Sequence, residues 1–209
     1  MAAPHQACKR TTHRTGLWLA IGLGLAAQAL WPTTASADDL RAERVQPLQN
    51  GVNRVALQTG TPLGMAMLAH RENFNAHSFD VLTLYAQSSP LAGEPAQWQV
   101  VPLFDAQGEH LDVKRSGGAD CLLHDFRLLL PTGGQGAELV LADREMGDSF
   151  AATASVTFRF FRLRTNREGL AGRPLLYFDF VRARPAKAAY CDVGDAFATE
   201  LQLPAITPR

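Results

Sequence analysis

The sequence predicts an all-β fold, a β-sandwich of about eight or nine strands with short terminal helices. Three observations carry this expectation. Apolar runs of strand length recur down the chain, separated by turn-forming clusters such as Asn50-Gly51, Gly93-Glu94-Pro95 and Pro131-Thr132-Gly133-Gly134. Helix signals lie only near the two ends of the region after residue 37. No segment repeats at the periods of propellers or solenoids.

Residues 1–37 read as a secretory signal peptide, cleaved before the folded part. Lys9, Arg10 and Arg14 form a positive start, an apolar run containing Leu17, Trp18, Leu19, Ile21, Leu23 and Leu25 follows, and Ala35-Ser36-Ala37 is a small-x-small cleavage signal. The apolar run is about 15 residues, short of the roughly 20 that span a bilayer. Of the 209 residues, loss of these 37 leaves 172, so residues 38–209 form a single β-sandwich domain large enough for a good core. The chain carries 20 Lys+Arg and 20 Asp+Glu, and the three basic residues leave with the signal, so the mature chain is mildly acidic. It has neither a basic patch for nucleic acid nor a polybasic arm for a membrane surface. The expected location is periplasmic. Cys8 leaves too, and Cys121 and Cys191 remain; two cysteines in an exported chain are read as one disulfide.

In order along the chain, residues 39–48 predict a short helix capped by Asp38 or Asp39 and ended by Pro47. Residues 52–58 predict a strand. Residues 64–69 are a short apolar run with Met65 and Met67 on one face, where methionine is expected as core filler. Residues 79–87 predict a central strand, since Phe79, Val81 and Tyr85 on one face and Leu82 and Leu84 on the other make both faces apolar. Residues 98–104 predict an edge strand or a bulge, because Pro102 has no N–H for a ladder. Asp105-Ala106-Gln107-Gly108 predicts a hairpin turn into residues 109–113, and Ser116-Gly117-Gly118-Ala119 a flexible break.

Residues 120–130 predict a strand with Asp125 and Arg127 side by side on one face and His124 among apolar groups on the other. The Gly-rich turn at 131–136 lacks the Lys-Ser/Thr ending and following helix of a phosphate loop. Residues 137–142, 155–163 and 175–181 predict strands, 143–150 a charged loop, and 182–190 a basic connection. A closing helix comes next, capped by Asp192 or Asp195, with Phe197 and Leu201 on one face and Pro204 beyond it; the disulfide would staple it to the strand beginning at Cys121.

The candidate site is the run His70-Arg71-Glu72-Asn73-Phe74-Asn75-Ala76-His77-Ser78-Phe79-Asp80. Its mixture of polar and aromatic residues follows neither helix nor strand period and reads as a structured loop, where binding residues concentrate. Arg71 and Arg127 suit two-pronged contact with a ligand carboxylate. Asn73, Asn75 and His77 offer orienting donors and acceptors, His124 is a further candidate contact, and Phe74 and Phe79 would wall a pocket. The competing reading is a self-satisfied turn, with Arg71 paired to Glu72 or Asp80 and Arg127 to Asp125. A serine-hydrolase motif is missing, since no G-x-S-x-G or S-x-x-K occurs. The His70–His77 spacing fits no short zinc motif. The expectation is a non-enzymatic binding protein without a cofactor. The alternatives are a periplasmic hydrolase or metalloprotein built on His70, His77 and His124, and a structural or protein-interaction module of the cell envelope.

Three segments give a resemblance. The 70–80 run, Ala119-Asp120-Cys121-Leu122-Leu123-His124-Asp125-Phe126-Arg127-Leu128, and Tyr190-Cys191-Asp192-Val193 before the last helix together resemble the carbapenem self-resistance proteins of the CarG type, in order over roughly residues 50–201. The resemblance implies a periplasmic, homodimeric β-sandwich that protects a cell from a carbapenem by binding it without hydrolysis. The implied partner is a small carboxylated ligand, a carbapenem first. No ligand contacts are carried over from the family.

Overall fold

In the computed structural model, which describes residues 42–59, 64–87 and 95–204, the chain turns back on itself at short polar loops to give eleven strands and one α-helix. The described residues belong to the unit Ala35–Arg209. The expected signal peptide and residues 39–41 of the expected N-terminal helix lie outside them. Over 42–48 the expected helix is corrected: only Ala42–Arg44 form a 3-10 turn, after which the chain runs beside the strand Leu122–Leu129, with Val45 pairing with Leu129 as an isolated bridge and Gln46 N donating to Leu128 O (2.8 Å). No helix among the described residues is long and apolar enough to cross a membrane.

The strands are β1 (Gly51–Val55), β2 (Gly64–Arg71), β3 (Phe79–Gln87), β4 (Trp98–Val100), β5 (Leu103–Asp105), β6 (Gly108–His110), β7 (Val113–Gly117), β8 (Leu122–Leu129), β9 (Glu138–Arg144), β10 (Val156–Thr165) and β11 (Leu176–Pro185). They pair in the order β1-β2-β3-β7-β8-β9-β10-β11-β5-β6, with β4 also on β3. One leaf is β1 to β4; the other is β8 to β11 with the β5–β6 hairpin. β7 passes between them. β3 is central, as its two-sided pattern predicts: β2 lies along one edge, while β7 and β4 share the other.

Pro102 explains how the leaves join a second time. The Val101 N–H donates to Leu84 O of β3 (2.8 Å), and the Pro102 carbonyl accepts from Phe178 N of β11 (2.8 Å). The expected single strand at 98–104 is therefore two, broken where proline removes a donor and the chain changes leaf. Between the leaves lies an apolar core that includes Leu68, Leu82 and Leu84 from the first leaf and Phe126, Leu139, Phe161 and Phe178 from the second.

The outer face of the second leaf carries the helix α1 (Val193–Leu201). Phe158, Val140 and Ala142 pack against Val193, Phe197 and Leu201 there. Asp192 caps the helix by accepting from Gly194 N (2.6 Å) and accepts from Leu122 N (2.9 Å), tying the helix start to the start of β8. The Cys121–Cys191 disulfide, with Cα atoms 5.6 Å apart, reinforces the same junction.

Three more expectations are corrected. Met65 and Met67 do not fill the core. The alternating residues Ala66 and Leu68 point inward, and Met67 is 37% exposed opposite Val52, itself 64% exposed. The 116–119 break is only partly a break, since Ser116 and Gly117 end β7, with a bulge between them. The basic connection at 182–190 begins as strand: β11 runs to Pro185, with Arg182 stacked on Phe160 (3.8 Å) and Arg184 on Phe158 (5.6 Å).

Loss of the disulfide in Cys121→Ser/Cys191→Ser is expected to destabilise the fold by about 2–5 kcal/mol, because it releases a loop of 70 residues. Urea denaturation should show the midpoint falling; an unchanged midpoint would refute this role. Asp125→Asn, which leaves Arg115 and Arg127 buried beside a neutral amide, is expected to cost about 3–5 kcal/mol by the same measurement.

Candidate functional site

Strand register assembles the site. On the second leaf Phe126 lies opposite Leu141 and Leu139 opposite Phe161, an apolar patch, and one residue pair further along the same face the surface turns polar. His124 of β8 lies opposite Asp143 of β9, and Arg159 of β10, opposite Leu141, is the diagonal same-face neighbour of Asp143. The β5–β6 hairpin then brings in Asp105 and His110 at its two strand ends. Together they line a cavity of about 410 Å³ with an apolar wall of Leu103, Leu141 and Phe161.

The polar groups form one chain. His124 Nδ1 meets Asp143 Oδ1 at 3.0 Å. Arg159 Nε donates to Asp143 Oδ2 (2.8 Å) and its Nη1 to Asp105 Oδ2 (3.1 Å). His110 Nε2 meets Asp105 Oδ1 at 2.9 Å. Two histidine–aspartate pairs thus share one guanidinium. Burial alone would raise the pKa of both carboxyls, but the histidine and Arg159 contacts outweigh it, with the Gln107 N–H adding to Asp105, and both are held below the ordinary value. The two imidazoles stay 42–44% exposed, so each keeps a ring edge for a ligand.

The 70–80 run sits elsewhere and is differently built. His70 and Asp80 pair across β2 and β3, so the loop proper is only 72–78. Its polar atoms satisfy one another. Phe74 N and the Ser78 hydroxyl both donate to Glu72 Oε1 (2.6 Å each), Asn73 Nδ2 donates to His77 O (2.7 Å), and His77 N donates to Asn75 Oδ1 (2.8 Å). The Ser78 and Phe74 contacts lower the Glu72 pKa, and the hydrogen bond to Asp80 raises that of His70. His77 is anchored through Nδ1 to Gly117 O (3.1 Å) and its ring packs on Phe150.

Of the residues the sequence singles out for binding, only His124 lines the cavity. Arg71, Asn73, Asn75 and His77 lie on the hairpin loop or its edge. Arg71 donates to Glu72 O (3.4 Å) and lies over Phe79. Arg127 is wholly buried, bonded to Asp125 Oδ2 (2.5 Å) and Pro204 O (2.9 Å) and stacked on Phe197. Burial lowers its pKa while Asp125 opposes that shift. Phe74 walls no pocket: it is 95% exposed at φ 57°. Asp105, His110, Asp143 and Arg159 escape a reading of the sequence, because each suits a turn, strand end, loop or strand face, and only the pairing of distant strands brings them together.

His70, His77 and His124 each have separate partners, namely Asp80 and Glu72, Gly117, and Asp143. Among the described residues no three His, Cys, Asp or Glu side chains gather as a metal site.

No family model and no curated protein matches the chain. The fold has a counterpart in a solved structure, the crystal structure of CarG, with a TM-score of 0.60 and 21% identity over 74% of this chain and 94% of that one. The chain therefore has a CarG-like fold.

A carboxylate whose folded pKa is depressed stabilises the fold above its unfolded pKa, and that stability is lost as pH falls through the folded value. Asp105 and Asp143 start from an ordinary value of 3.8, so their contribution disappears in acid below it. Arg159→Gln removes the shared cation and is expected to move the acid limb of a pH–stability profile to higher pH. Coincident limbs for the two proteins would contradict this.

Proposed function

We propose that this chain is an exported, non-catalytic binding protein that holds a small carboxylated ligand, a carbapenem first, in the cavity beside His110 and His124, and that it confers tolerance by binding. The observation that carries the reading is the cavity itself: two half-exposed imidazoles, fixed by ionised carboxylates, over an apolar wall. Convergent polar groups facing an apolar wall of Leu103, Val113, Leu141 and Phe161 suit a small ligand with both polar and apolar parts. The CarG-like fold supports the choice of ligand.

A second reading has one specific observation in its favour. Ser116 lies opposite His124, which lies opposite Asp143, so serine, histidine and aspartate stand in one row across β7, β8 and β9 and all line the cavity. That is the residue set of acyl transfer. Against it, no hydrogen bond joins Ser116 to His124 among the described residues, although the Asp143 contact at Nδ1 is the one such a triad uses and leaves Nε2 toward the cavity.

Titration calorimetry of the purified protein with a carbapenem is expected to show saturable binding, weakened about tenfold, or about 1.4 kcal/mol, by His124→Ala. Carbapenem absorbance should stay constant over the same incubation. No heat of binding would overturn the proposal. Loss of absorbance that Ser116→Ala abolishes would replace it with the hydrolytic reading.

A further inference from the structure

We infer that the polar end of the cavity receives an ammonium group of its ligand, held between His110 and His124. The inference rests on the cavity being the binding site, and it names the chemistry that site selects.

Asp143 and Asp105 each fix one ring nitrogen. His124 gives Nδ1 to Asp143, which leaves Nε2 for the cavity; His110 gives Nε2 to Asp105, which leaves Nδ1. With the N–H directed at the carboxylate, the remaining nitrogen of a neutral imidazole is an acceptor. In that form the two rings turn acceptors to one cavity and suit a ligand that brings donors.

The cations nearby each have a partner of their own. Arg159 spends Nε and Nη1 on the two carboxylates. The Lys114 ammonium leans over the Phe79 ring at 5.5 Å. Asp125, which also borders the cavity, is neutralised from behind by Arg115 and Arg127. Apart from that group, Asp105, Asp112 and Asp143 stand against Arg159 and Lys114, a small acidic excess that favours a cation over an anion. Each Asp143 oxygen accepts a single hydrogen bond, from His124 or from Arg159, so lone pairs remain for ammonium N–H groups. A ligand that also carries a carboxylate would turn that end away from this cluster.

The test uses n-butylammonium and butyrate as probes, followed through the imidazole NMR signals of His110 and His124 in the intact protein. Butylammonium should shift both signals saturably, butyrate neither, and Asp143→Asn should weaken the ammonium by about tenfold. His124→Gln, which keeps the carboxylates, should weaken it as well. Equal shifts by butyrate, or no shift by butylammonium, would overturn the inference. A carbapenem with an amine side chain is then compared with its N-acetylated form. Weaker binding of the acetylated form supports the inference. Equal binding of the two overturns it while leaving the cavity as the carbapenem site. If neither carbapenem binds and butylammonium does, the inference holds and the carbapenem reading fails.

Discussion

Asp125 is the one carboxylate on which several parts of the structure converge. Its Oδ1 accepts from Arg115 Nε (2.6 Å) and from Phe126 N (2.8 Å), and its Oδ2 accepts from Arg127 Nη1 (2.5 Å). Arg127 carries the connection outward, to the Pro204 carbonyl behind α1 and to the Phe197 ring. Arg115 carries it to Asp80 (3.4 Å), which in turn holds His70 (2.8 Å). One buried ion thus links the helix, β8, β7 and the β2–β3 hairpin. Burying charges costs several kcal/mol per ion, recovered only when each has partners in good geometry. The cost confines these strands to the registers that complete the network.

The polar end of the cavity obeys the same constraint with one difference. Here only the Asp105 carboxylate is deeply buried, Asp143 and Arg159 remain 32% exposed, and Arg159 is divided between two carboxylates. Carboxylates so engaged stay ionised and hold the rings of His110 and His124 in fixed orientation. Pre-organised rings lose little freedom when a ligand arrives, which is what a binding site gains from being built on strand ends. The 72–78 loop is rigid for another reason. Its side chains hydrogen-bond to its own backbone, so they hold Phe74 at positive φ, a conformation that costs a bulky residue of order 1–3 kcal/mol.

Arg144 shows how a loop can be fixed from inside the sheet. Its guanidinium, on β9, donates to the carbonyls of Met146, Ser149, Phe150 and Ala152, gathering the β9–β10 connection around one buried cation. Phe150, held in this way, packs against His77, so the two loops brace each other. The run that reads as a charged loop from residue 143 therefore begins with two strand residues, one for the cavity and one for the loop.

By itself the sequence determined what is local. Alternation in residues 79–87 marked a central strand, Pro102 marked a break in a ladder, Asp192 marked a helix start, and the same-face placement of Asp125 and Arg127 offered their ion pair as the rival to a ligand contact by Arg127. Each depends on backbone geometry within a few residues. The expected strand count is low because Pro102 splits one run and a bulge hides β7. Met65 and Met67 fall on the uncovered side because a strand pattern identifies two faces without saying which is covered. The site is the least legible part. His110, Asp105, Arg159, Asp143 and His124 come from five different strands, and each alone has an ordinary role in a turn, a loop or a strand. Only the closing of two leaves on each other, with every strand in one register, turns those ordinary residues into a shared cavity. Side chains far apart in sequence meet through pairing and packing, and that information resides in the tertiary structure.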